Sequence, residues 1–86
     1  MPEICRFFGI VIRMYYDEHN PPHFHAEYGD DEAQINILTL AVINGNLSSR
    51  TLGLVIEWAS MHREELLHDW ELARQDHKPE KIQPLK

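Results

Sequence analysis

Cysteine is nearly missing. Cys5 is the single one in 86 residues, so no disulfide can form within the chain, a usage that suits a reducing cytosol. Long apolar runs are missing too. Residues 7–12 form a short one, bracketed by Arg6 and Arg13 and followed by no small-residue cleavage site, so it does not read as a secretion signal. Nothing approaches the roughly 20 apolar residues that a membrane helix needs. The expected location is cytoplasmic, with no membrane association. Positive charge is scarce: 8 Lys and Arg stand against 14 Asp and Glu, a formal net charge of −6. Asp17, Glu18, Glu27, Asp30, Asp31 and Glu32 fall in a stretch without one Lys or Arg. A protein that tracks phosphates carries a basic patch instead, so nucleic-acid binding by the isolated domain is disfavoured. There is no glycine-rich phosphate loop, no nucleophile elbow, no Cys-x-x-Cys, no repeat and no low-complexity segment.

What remains has the composition of one folded domain: 43% hydrophobic and 26% charged residues. Residues 5–16 are rich in β-branched and aromatic side chains. Both faces are apolar over 7–12, which predicts a central strand with Gly9 as a bulge. Residues 17–22 form a turn segment, where Asn20-Pro21-Pro22 forces an extended backbone. Residues 23–28 predict a second strand, with Phe24, Ala26 and Tyr28 on one face and His23, His25 and Glu27 on the other. Gly29-Asp30-Asp31 reads as a hairpin turn into a third strand over 33–38, with Ile35 and Ile37 inward. A short strand over 41–43 extends the meander.

The second half changes period. Ser48 or Ser49 suits an N-cap, and Leu52, Val55, Ile56, Ala59, Leu66, Trp70 and Ala73 recur at helical spacing. One helix over 50–75 would be about 39 Å long, more than so small a sheet needs. Either it breaks near His62-Arg63, or Arg63 points into a polar site. The fold class is therefore α+β: an antiparallel meander of three or four strands, then a C-terminal helical region packed on one face. The single domain spans 1–76, and 77–86 is an extended tail.

The chemistry-bearing segment is His19-Asn20-Pro21-Pro22-His23-Phe24-His25, with three imidazoles in seven residues. His23 and His25 share a strand face, and His19 can close over them from the turn. Together they suit a divalent transition metal. Hydrogen bonding of these rings to backbone groups is the competing use. His23, His25 and Arg63 form a candidate catalytic set, since an Arg with one or two His can bind a phosphate and move a proton. A local ion pair on a solvated helix face is the plainer role for Arg63. Leu54, Trp58 and Met61 lie on a second apolar helix face and are candidates for an interface, either with a partner protein or in a homo-oligomer. Cys5, in an apolar strand, reads as a buried inert thiol.

Several segments together carry a resemblance. Arg6-Phe7-Phe8-Gly9-Ile10, Met14-Tyr15-Tyr16 and His19 through Ala26 are joined by Glu57-Trp58-Ala59, His62-Arg63-Glu64-Glu65-Leu66 and Trp70-Glu71-Leu72-Ala73. The pattern resembles the small bacterial family of domain of unknown function 4160, over nearly the whole chain. The resemblance implies no activity. It implies one half of a two-gene, toxin–antitoxin-like module, acting on a partner from a neighbouring gene through protein–protein interaction. The alternatives are a small hydrolytic, ribonuclease-like enzyme and a metal-binding module, both built on the histidine segment.

Overall fold

A computed structural model describes residues 2–16 and 18–86. Asp17, which opens the expected turn segment, lies outside the described residues. The elements run β1 (Glu3–Phe7), β2 (Ile10–Arg13), β3 (His23–Tyr28), β4 (Asp31–Asn36), β5 (Val42–Gly45), α1 (Ser49–Met61) and α2 (Arg63–Arg74). The strands pair in sequence order, all antiparallel. The α+β meander followed by helices is as the sequence predicts, with five strands rather than three or four.

The extra strand comes from residues 5–16, which are a hairpin and not one central strand. Phe8 (φ 50°) and Gly9 (φ 80°) both take positive φ, the requirement of a two-residue primed turn. Gly9 also approaches Tyr28 closely: a Cβ there would sit 3.2 Å from the Tyr28 ring. Both strands are rich in apolar residues because their inward side chains, Cys5, Phe7, Ile10 and Ile12, all enter the core.

The register sorts the sheet into two faces. Pairings Cys5↔Ile12, Ile12↔Ala26, Phe24↔Ile35 and Ala26↔Ala33 place one buried apolar layer on a single side. Helix α1 covers that layer. Ser48 caps it, its hydroxyl accepting from Thr51 N–H at 3.2 Å. Its buried residues are Thr51, Val55, Trp58 and Ala59, so the helix is rotated relative to the stripe of Leu52, Val55, Ile56 and Ala59 that spacing predicts. Trp58 is fully buried, 5.4 Å from the Phe7 ring and 5.9 Å from Phe24, centroid to centroid. This corrects the expected interface face. Trp58 belongs to the core, Leu54 is half-buried, and only Met61 is well exposed. The indole wins the inward position because it fills more volume than Ile56 and its N–H finds an acceptor, Gln83 O at 2.7 Å.

The helices break at His62 (φ −127°), and Arg63 opens α2. Segment 77–86 takes no helix or strand and packs onto the domain. Ile82 and Leu85 enter the core, and Ile82 N–H donates to Ile4 O at 2.9 Å along the edge of β1. Glu80 N–H donates to Asp69 Oδ1 at 2.8 Å.

Asp69 is 1% exposed, and its Oδ2 has no hydrogen-bond partner. Burial pushes its carboxyl from 3.8 up to about 6. A raised carboxylate favours the folded state in its protonated form. That contribution is complete below about pH 4 and is lost as pH rises through about 6. Asp69→Asn keeps the acceptor for Glu80 N–H and cannot ionise. Relative to the parent chain, the variant should gain on the order of 2–3 kcal/mol between pH 4 and pH 8. Urea denaturation at the two pH values measures this; equal differences at both would show that Asp69 carries no buried charge.

Candidate metal centre

The opposite face of the sheet is polar. Arg13 pairs with His25 across β2 and β3, and His25 with Gln34 across β3 and β4, so Arg13, His23, His25, Glu27, Glu32 and Gln34 share that side. The loop between β2 and β3 folds over it and brings Glu18 to the two histidines. Both imidazoles are only 6% exposed.

Each ring is oriented by an outer acceptor. His23 Nδ1 lies 2.8 Å from Pro21 O, which can only accept, so that nitrogen carries the proton. His25 Nδ1 lies 2.8 Å from Glu32 Oε2, an acceptor that can hold a proton on that nitrogen in the same way. In a neutral ring protonated at Nδ1, Nε2 offers a lone pair. Both Nε2 atoms face one carboxylate oxygen: Glu18 Oε1 is 2.7 Å from His25 Nε2 and 3.5 Å from His23 Nε2. One donor atom from each of Glu18, His23 and His25 lies within 4.8 Å of the others. An N–H held by a carbonyl or carboxylate, with the other nitrogen facing a shared point, is the usual arrangement of metal-bound histidine.

The surroundings keep these groups in place. Tyr15 meets His25 edge to face, with centroids 4.3 Å apart. Its phenol is held above its ordinary range, first by burial and then by Glu27 and Glu32, and stays neutral. Arg13 Nε donates to Glu27 Oε2 at 3.1 Å. Trp70 of α2 lies against His23, centroids 5.2 Å apart. A groove of about 240 Å³ opens beside the cluster, lined by Glu18, His19, Asn20, His23, Gln34 and Ile43 among others.

His23 and His25 are thus brought together, but the expected partners change. The third donor is Glu18, not His19, which is exposed and lines the groove. Arg63 does not join the expected catalytic set. Its Nε donates to Ile37 O at 3.1 Å, tying the start of α2 to the end of β4, and it lines a separate groove with Met61 and His62. Cys5 is buried, and burial raises its thiol above the ordinary value, so it offers no thiolate. In the sequence Glu18 and Glu32 stand only as members of the acidic stretch. The one signal in the chain for Glu18 is its position beside His19.

The chain belongs to the family described as "Domain of unknown function (DUF4160)", whose model matches residues 9–71, the histidine segment and Arg63 included. No curated protein and no solved structure matches it.

Arg63→Ala removes a hydrogen bond that joins helix to sheet. It should cost about 1–2 kcal/mol of stability by chemical denaturation and leave metal content unchanged. Lost metal in a variant of unaltered stability would return Arg63 to the site.

Proposed function

We propose that the protein binds a divalent first-row transition-metal ion through Glu18 Oε1, His23 Nε2 and His25 Nε2. The observation that carries this reading is the convergence of two Nε2 atoms on one carboxylate oxygen while both Nδ1 atoms are held by acceptors. A proton between His25 and Glu18 would satisfy that pair alone and leave the lone pair of His23 directed at an anion. A metal ion satisfies all three donors together. Two imidazoles and a carboxylate suit zinc or ferrous iron; a third nitrogen or a thiolate would shift the preference.

Elemental analysis after loading and gel filtration should give one ion per chain. Glu18→Gln, His23→Gln and His25→Gln should each weaken binding, measured by competition with a chromophoric chelator, by a factor of ten or more. His19→Gln should not. Loading below one tenth of an equivalent in the parent chain, or affinity equal in all four variants, would refute the reading.

A second reading, contact with a partner protein as one component of a two-gene module, is favoured by the edge of the sheet. At β1 the tail already supplies a hydrogen bond to Ile4 O. β5 is exposed at all four positions and ends the strand order, with Val42 and Ile43 about two-fifths exposed. An exposed apolar edge accepts a further strand. Val42→Lys should abolish co-purification with the product of the neighbouring gene. A complex unaffected by this change would exclude the β5 edge.

A further inference from the structure

We infer that the ion held by Glu18, His23 and His25 keeps coordination positions open to the adjoining groove, and that it takes there a neutral carbonyl compound, an amide or an ester, rather than a phosphate ester. This rests on the metal reading above.

The count of donors comes first. Among the described residues three protein atoms converge, whereas a closed structural zinc site uses four protein ligands and octahedral ions use six donors in all. His23 and His25 approach from the sheet and Glu18 from the loop above it. Two of the three donor residues, Glu18 and His23, line the groove, so it adjoins the point where the donors meet. His19, the residue that could close the site, is exposed. The space, about 240 Å³, is much larger than the roughly 30 Å³ share of one water and below the range for drug-sized ligands. It suits a single acyl or amide group.

The walls then decide the ligand class. Gln34 and Asn20 bring carboxamides, which both donate and accept, and Ile43 brings an apolar surface. Among the described residues, no Lys or Arg lines the groove. Glu18 and Glu32 already place two carboxylates around His25. A phosphate ester would add negative charge where no guanidinium or ammonium is among the described lining residues, and Arg13, across from His25, is engaged with Glu27, contrary to the pattern of phosphate sites. A carbonyl oxygen adds none. It can sit on the ion as on any Lewis acid, while its amide hydrogen or second oxygen pairs with a carboxamide.

The cobalt(II) form of the full chain tests this through its visible absorption. Cobalt content is measured first, so that failure to load is seen as failure of the metal reading itself. In the loaded protein, acetamide, a neutral carbonyl compound, should shift the cobalt bands with a midpoint at least tenfold below that of inorganic phosphate. The cobalt should remain bound afterwards. Gln34→Leu should raise the acetamide midpoint about fivefold or more without changing cobalt affinity. Bands that ignore acetamide would mean a closed site and overturn the inference. A His19→Ala variant that gains a response absent from the parent would identify His19 as the closing ligand, with the same consequence. Phosphate binding as tightly as acetamide would overturn the ligand class, as would a Gln34→Leu midpoint equal to the parent's.

Discussion

The register of β3 constrains everything else in the molecule. It is the middle strand of five and is paired on both sides, to β2 through Ile12↔Ala26 and to β4 through Phe24↔Ile35. Its even-numbered residues Phe24 and Ala26 build the core beneath Trp58. Its odd-numbered residues His23 and His25 build the polar site. A slip of one residue would exchange these sets, burying two imidazoles among aromatic rings and exposing Phe24. Selection for a packed core and selection for the site therefore act on one pairing. The two-residue turn at Gly29 and Asp30 helps hold it, because Tyr28 pairs directly with Asp31.

The helical half serves the same strand from two directions. A continuous helix over residues 50–75 would have overrun the sheet. The break at His62 instead lets α1 cover Phe24 while α2 brings Trp70 against His23. Arg63 holds the second helix at the Ile37 carbonyl. Ile37 N–H in turn donates to Pro22 O, next to the loop that carries Glu18. The tail completes the core from outside, with Ile82 and Leu85 buried and Gln83 O receiving the Trp58 N–H. In a chain this short, few layers are available to exclude water, and ten residues without regular structure supply part of one.

Local signals made much of this legible. The bounds of β3 follow from alternation, while capping chemistry narrows the cap to Ser48 or Ser49 and helix length leaves a break near His62 as one of two outcomes. The misses share a cause: each depends on where distant parts of the chain meet. Phe8 and Gly9 form a hairpin turn, but a phenylalanine at positive φ carries no sign of that in its side chain. Trp58 and Ile56 compete for the inward side of α1, and the outcome is decided by Gln83, 25 residues away. His23 and His25 were readable as a pair because strand geometry alone unites them. Their third partner was not, since Glu18 reaches them only by the path of the loop. An acidic residue in a turn otherwise looks like any solvated charge.

The acidity of the chain takes on a different sense once this placement is known. Residues 17–32 carry six carboxylates and no Lys or Arg. Arg13 meets Glu27 at 3.1 Å, and Glu18 and Glu32 converge on one imidazole from opposite sides. Both Nδ1 atoms face outer acceptors, so the Nε2 side is where a cation would sit. A proton there would serve one histidine. A divalent ion would serve both, with the half-exposed Glu32 holding the far side of the His25 ring. The same absence of basic residues that counts against nucleic acid as a partner is what a site built to hold a cation requires.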